Sequence, residues 1–267
     1  MKISIITPSY NQAVFLEQNI QSILSQGLGD SVEHIVIDGG STDGSIDILR
    51  KYPHLIWKSE KDRGQSHALN KGFKMATGDI IGWINSDDKL TPCALHRVAK
   101  FFQENPEEIA VVGNLNLISV GGSFIRIIKG KAYKYEDMVN TNRGVTQGST
   151  FFKRAVFEKI GYLDETLHYA MDFEFFLRMA ALATIPYINE SLAEFRIQPD
   201  AKTTNGLVHF RKEHMKIARK YNASWFSKGI RSDVYVILSE PLRGRPWIRN
   251  FIRKLKGIDP YDHERFL

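Results

Sequence analysis

Along the first hundred residues the apolar positions switch repeatedly between two periods, and this alternation is the main clue to the architecture. The opening KISIITPSY is a short β-rich run, after which Phe15, Leu16, Ile20, Ile23 and Leu24 fall on one helical face. VEHIVIDGG repeats the strand and stops at glycines, Asp43 stands where it would cap a short helix running to Arg50, and HLIWKSE supplies a third strand. A longer helix striped by Ala68, Leu69, Phe73 and Ala76 is expected to close on Gly78 before DIIGWIN gives a fourth strand. Repeated strand–helix units predict an α/β fold: a mostly parallel, Rossmann-like sheet flanked by helices. Ligands of such folds bind beyond the carboxyl ends of the strands.

From Pro92 the regular alternation stops. A helix to about Phe102 is followed by IAVVGNLNLI and GGSFIRII, two strands joined at a Gly121-Gly122 turn. Residues 129–147 are polar and irregular, which predicts a long loop of the kind that closes over an active site. Next come a short strand STFF, a helix KRAVFEKIG, a helix striped by Phe173, Phe176, Leu177, Ala180 and Ala181, strands near 185–188 and 192–196, and a helix over 207–221. Trp57 and Trp83 read as core, and His34, His54, His67 and His96 as surface or helix-face residues. The expected division is one domain over 1–222, with halves of about 1–113 and 114–222, and a tail over 223–267.

Composition narrows the class. At 43% apolar and 25% charged residues the chain is an ordinary globular sequence, which sets aside disorder. Cys93 is the only cysteine, so no intrachain disulfide can form and a reducing, cytoplasmic setting is expected. The first apolar run is too short for a signal peptide, and no segment reaches the roughly 20 apolar residues that span a bilayer. The net charge of +6 is uneven: from residue 201 onward there are 15 Lys and Arg against 6 Asp and Glu, leaving residues 1–200 at −3. A mildly acidic body with a basic tail does not fit a uniformly basic nucleic-acid binder.

Carboxylates and turn residues gather where the predicted strands end: SYNQ, then Asp38 to Gly44, then Glu60 to Gly64, then Asn85-Ser86-Asp87-Asp88. Acidic groups at one edge repel unless a cation or a ligand offsets the repulsion. Asp87 and Asp88 are hard oxygen donors with no His or Cys cluster beside them, a pattern that suits Mg²⁺ or Mn²⁺ completed by substrate phosphates. The chain has neither GxxxxGK[ST] nor a GxGxxG after the first strand, so the common phosphate-loop and dinucleotide readings lose support.

SIITPSYNQ, VIDGGSTDGS, EKDRGQSHALNKGF, GDIIGWINSDD and the acidic helix start at Asp172-Phe173-Glu174-Phe175-Phe176, in this order and spacing, resemble the family-2 glycosyltransferases of the GT-A fold over roughly residues 1–200. The resemblance implies an inverting transfer of a sugar from a nucleoside diphosphate donor to a saccharide or lipid-linked hydroxyl acceptor, with a divalent metal holding the diphosphate. By position it implies that Thr7, Pro8, Tyr10, Asp38 and Asp62 line the nucleoside pocket, that Asp87 lies near ribose or metal, that Asp88 binds metal, and that Asp172 is the general base. Gln147, Gly148 and Ser149 correspond to a segment near donor sugar and acceptor, and Lys202 to a phosphate contact. The chain departs from the pattern in three places. Gly39 follows Asp38 where many members carry a second aspartate, Asn85 stands where Asp is frequent, and Gln198 stands where relatives often place a metal-touching His. Gln198 and His209 are the candidates for a third metal ligand. A sugar-1-phosphate nucleotidyltransferase is the alternative among enzymes, although TPSYNQ lacks that class's glycine-rich basic loop. A non-catalytic nucleic-acid-binding protein would rest on the tail alone.

In that tail, RPWIRNFIRKLK over 245–256 places Trp247, Ile248, Phe251, Ile252 and Leu255 on one helical face with basic residues around it. Such a helix suits an anionic membrane surface, or else docks on the body.

Overall fold

The computed structural model describes residues 1–141, 145–198 and 206–239. Four parallel strands form its first half in the order β3 (Ile56–Ser59), β2 (Val32–Asp38), β1 (Ile3–Ser9) and β4 (Ile80–Trp83). They are crossed by α1 (Ala13–Leu24), α2 (Ser45–Arg50) and α3 (Gln65–Met75). β1 is buried along its whole length, Ser4, Thr7 and Ser9 included, and so does not show the apolar–polar alternation of a half-exposed strand. Its register on β2 runs from Ile3 opposite Val32 to Ser9 opposite Asp38, so the loops after both strands open at the same edge.

Beyond β4 the sheet turns mixed. β8 (Thr150–Lys153) pairs antiparallel with β4, and β6 (Ala110–Ile118) antiparallel with β8. β9 (Tyr187–Arg196) runs parallel to β6 and carries the two-residue β5 (Lys89–Leu90) at its far side, while β7 (Phe124–Ile128) forms the expected hairpin on β6. On one face Phe73 of α3, Phe152 of β8, Phe157 of α6 (Val156–Ile160) and Phe175 of α7 (Met171–Leu182) pack ring against ring at centroid separations of 5.0–6.4 Å. On the other face α4 (Ala94–Glu104) buries Ala94, Leu95, Val98 and Phe102 against Ile5, Ile80 and Val111.

Several expectations change. The segment 129–147 is not an open lid: it contains α5 (Tyr135–Thr141), and Tyr133, Met138 and Val139 are buried in the aromatic core. Two apolar side chains one residue apart were too weak a signal against the polar background. The strands expected near 185–188 and 192–196 are one strand, β9, whose register slips twice against β6 and so breaks its alternation. Gly78 is not a left-handed helix cap, because α3 ends in extended backbone at Ala76. Gly78 lies instead against β1, where a Cβ would meet the Ser4 hydroxyl oxygen at 2.6 Å and its backbone nitrogen at 2.7 Å. His34 is buried in β2, not exposed, and Trp57 is only half-buried.

The boundary expected at 222 falls inside a packed helical pair. α8 (Leu207–Lys220) and α9 (Lys228–Ser239) pack on each other, and α9 also packs on α5. Buried Asp233 of α9 binds Arg211 at 3.1 Å and His214 at 2.6 Å, both from α8. The helix expected over 245–256 lies outside the described residues.

Candidate functional site

The loops after β1 and β2 are stitched into one wall. The Asn11 and Gln12 amides donate to the Ser41 and Ser45 hydroxyls, and the Thr42 amide donates to the Asn11 side chain. Asp43 accepts from the amides of both Ala13 and Ser45, so it ties together the starts of two helices rather than capping one. Thr7, Pro8 and Asp38 lie beneath this wall, all buried. The Thr7 hydroxyl bonds to the His34 ring at 3.0 Å, and burial lowers the pKa of that histidine to about 3, which keeps it neutral. Asp38, fully buried, accepts from the Gly40 and Ser41 amides and from the Ser41 and Ser59 hydroxyls. With these bonds the Asp38 carboxylate organises its own loop.

What faces outward at this wall is Tyr10, 62% exposed, and half-buried Asp62, which also accepts from the Gly64 amide at 2.8 Å. They converge on Gly39, where a Cβ would stand 2.7 Å from an Asp62 carboxylate oxygen and 3.2 Å from the Tyr10 ring. The residue that departs from the family pattern thus makes room for Asp62.

Past β4, Asp87 and Asp88 sit on a tight turn held from three directions. From α1, the buried Asn19 amide donates to the carbonyls of Asn85 and Asp88, both at 2.9 Å. From β9, Arg196 donates its backbone N–H to the Asp88 carboxylate at 3.0 Å and its Nε to the Asp87 carbonyl at 2.9 Å. Its guanidinium also reaches the Val120 carbonyl and the Gln18 side chain, and lies over the Phe15 ring at 4.7 Å. Gln198 donates to the Asp87 carboxylate at 2.6 Å. Burial raises the pKa of Asp87, while burial and the neighbouring Asp87 charge push Asp88 well above the usual carboxylate range. Two adjacent desolvated carboxylates repel each other, and a hard divalent cation bound by their oxygens would offset that repulsion. Among the described residues no group of three or more His, Cys, Asp or Glu is placed to hold a metal, so a cation on Asp87 and Asp88 would need ligand or water oxygens as well.

Asn85 joins this turn to the rest of the cleft. Its side-chain oxygen accepts from Gln65 at 2.9 Å and from the Trp83 indole at 3.0 Å, and its amide lies 3.4 Å from both Asp88 and Gln147. Of the segment expected near the sugar, Gln147 contributes a half-buried side chain, whereas Gly148 is buried and the Ser149 hydroxyl turns inward to the Gly113 and Thr146 carbonyls. Buried Tyr133, which bonds Thr146, stands near enough to Asp172 to feel its charge.

Asp172 opens α7 but does not cap it: the cap position is Ala170, and the Asp172 carboxylate accepts the Phe173 amide at 2.7 Å. Burial raises its pKa to about 6. The loop ahead of it meets α3, with the Ser66 hydroxyl donating to the Leu167 carbonyl and the His168 ring within 3.8 Å of the Cβ position of Gly64. His209 stacks on Tyr169 at 5.3 Å, on the Asp172 side of the cleft and not against the acidic pair. Lys202 lies outside the described residues.

Asn19, Arg196 and Glu213, whose carboxylate accepts the amides of residues 168–170, were not apparent from the sequence. Asn19 carried a signal, a polar residue inside the apolar stripe of α1. Arg196 and Glu213 carried none, because their partners lie far away in sequence.

The family model "Glycosyl transferase family 2" matches residues 4–184. A PGL/p-HBAD biosynthesis glycosyltransferase of Mycobacterium bovis is 30% identical over 66% of this chain and 68% of its own. An uncharacterized glycosyltransferase of Rickettsia typhi is 26% identical over 79% and 69%. Another, from Nostoc, is 34% identical over 44% of this chain, and the match spans only 38% of that relative. Among solved structures, S. aureus TarS 1–349 in complex with UDP-GlcNAc superposes with a TM-score of 0.64 at 20% identity, covering 96% of this chain and 76% of that one. The Pyrobaculum calidifontis mannosyltransferase in complex with GDP-Man and Mn²⁺ gives 0.64 at 16% identity, covering 98% and 81%. These likenesses bear out the mostly parallel GT-A architecture. With the family model spanning more than half its length, the chain belongs to glycosyl transferase family 2.

Proposed function

We propose that the chain is an inverting glycosyltransferase that moves a sugar from a nucleoside diphosphate donor to a hydroxyl of a saccharide or lipid-linked acceptor in cell-surface glycan or glycolipid assembly. The observation that carries this reading is the gathering of desolvated carboxylates around one cleft, Asp87 and Asp88 on the turn after β4 and Asp172 at the start of α7. In this reading Tyr10 packs on the base and Asp62 accepts from base or ribose, over a floor shaped by Thr7, Pro8 and Asp38. Asp87 and Asp88 hold Mg²⁺ or Mn²⁺, and Gln198 steadies Asp87 from the place where relatives put a histidine. A divalent ion bound there supplies positive charge against the charge growing on the departing diphosphate. Gln147 lies toward the sugar, and Asp172 takes the proton from the attacking hydroxyl at its carboxylate oxygen. A base of pKa about 6 is ionised at neutral pH and is still basic enough to assist, an effect typically of ~10²–10⁴-fold. Inversion follows from one base and one displacement.

The same reading puts the enzyme at the cytoplasmic face of an anionic membrane. Its support is the outer face of α8 and α9: Lys212, Lys216, Arg219, Lys228 and Arg231 are exposed, as are Trp225 and Phe226 at 59% and 86%. Arg219 lies over the Trp225 ring at 4.0 Å. The acids of this helical pair face inward. No helix among the described residues is long and apolar enough to cross a membrane. The catalytic body then extends through α9, and the membrane-facing tail begins after it.

Thermal melting with UDP, GDP and TDP, each with Mn²⁺ or with EDTA, tests the donor site. A nucleotide that raises the melting temperature only with metal is expected, because a ligand of the folded form alone stabilises it by mass action. No shift with any of the three would overturn the reading. Flotation with phosphatidylglycerol vesicles, lost on Trp225→Ser with Phe226→Ser, tests the membrane face.

A further inference from the structure

The loop that leads into Asp172 and α7 is held from both sides. On one side α3 grips it: the Asn70 side chain donates to the Leu163 carbonyl and accepts from the Leu163 amide, both at 3.0 Å. On the other side three successive backbone N–H groups converge on a single carboxylate, that of Glu213 on α8. His168 donates at 3.0 and 3.2 Å, Tyr169 at 2.8 Å and Ala170 at 2.9 Å. Ala170 is the cap position of α7 and has no side chain able to cap it. A negative group is favoured at a helix N-terminus, and here it arrives from a different helix. The height of Glu213 is fixed in turn by its neighbours on α8, Arg211 and His214, which are locked to buried Asp233 of α9.

We propose that Glu213 is a positioning residue for the base: its carboxylate closes the N-terminus of α7 from α8 and so sets where Asp172 stands, making the α8–α9 pair part of the catalytic apparatus. This rests on the reading of Asp172 as the base. Glu213 also acts on Asp172 through its charge, which adds to burial in raising the Asp172 pKa. The other groups around Asp172 are differently disposed. Tyr133, ahead of α5, faces it as a neutral phenol whose own pKa is raised by burial. Glu174 on α7 is engaged by Arg178, Lys220 and Tyr221. Glu136 and Asp137 on α5, Glu158 and Lys159 on α6, and His209 on α8 are exposed.

The test uses the full chain and UDP release from UDP-GlcNAc, or GDP release from GDP-mannose, whichever donor stabilises the protein with Mn²⁺. Glu213→Ala is expected to lower kcat by roughly 10–100-fold with the donor KM within about twofold, the cost of a misplaced base. Glu213→Gln keeps an acceptor oxygen and removes the charge. It should lose less activity, and the acid limb of its kcat/KM profile should move to lower pH. Should Glu213→Ala fail to fold, the shifted limb of Glu213→Gln still decides. An unmoved limb in Glu213→Gln together with full kcat in folded Glu213→Ala would overturn the proposal. Asp172→Asn runs alongside: inactive Asp172→Asn with unaffected Glu213 variants sinks the positioning role alone, whereas active Asp172→Asn sinks the base reading and this proposal with it.

Discussion

The two ends of the same parallel strands carry carboxylates in opposite electrostatic states. At the amino end Glu33 enters β2 with 6% of its side chain exposed, yet its pKa is lowered to about 2. Burial alone would raise it, but the Lys2 ammonium, the Ser4 and Thr77 hydroxyls and the Thr77 amide all donate to it and prevail. At the carboxyl end Asp87, Asp88 and Asp172 are desolvated with fewer donors, and their pKa values rise. The difference separates a carboxylate completed by its own fold from carboxylates whose completion requires something from outside. Burial and acidic character are common to both ends; the supply of donors is not.

The sharpest way to break this comparison is at Asp172. Asp172→Asn should cut transfer by ~10²–10⁴-fold or more while leaving calorimetric donor binding near that of the parent. In the parent, kcat/KM should fall about tenfold per pH unit below about 6, because the base must be unprotonated to act. The opposite end should answer with stability and not with activity. Glu33→Gln is expected to lose about 3 kcal/mol at pH 7 in urea unfolding, with Mn²⁺-dependent nucleotide binding unchanged. Because the folded pKa of about 2 lies below the ordinary 4.5, that contribution is full above pH 4.5 and fades as the pH falls toward about 2.

A smaller effect is expected where Arg196 braces the acidic turn. Arg196→Lys removes the fork that spans the Asp87 and Val120 carbonyls, and should weaken metal-dependent nucleotide binding by ~10–100-fold, measured by titration calorimetry. Smallest is Gly39→Ala. Its methyl meets the mobile end of Asp62, so the melting temperature should stay within a few degrees while nucleotide affinity changes by a few-fold. An unchanged affinity would detach Asp62 from the nucleoside pocket.

Much of the cleft was legible because its carboxylates sit directly after strands, and strand ends are marked locally by glycine, Asx residues and the loss of apolar period. Asp62, Asp87, Asp88 and Tyr10 stand out by this signal. Asp38 stands out by the same signal, but nothing in IDGGS tells that its side chain folds back on the next two amides. The core helix within 129–147 was missed because Met138 and Val139 are its only buried residues, and two adjacent residues define no period.

By itself the sequence determined the parallel βα half, the edge at which chemistry gathers and the family, because all three rest on short-range order: period, turn residues and motif spacing. Only the tertiary structure decided which carboxylates are satisfied and which are left wanting. That outcome depends on partners brought from distant segments, such as the Lys2 ammonium that donates to Glu33, the Arg196 amide that donates to Asp88 and the Glu213 carboxylate that accepts from the amides before Asp172, and the dielectric each group feels exists only once the chain has closed around it.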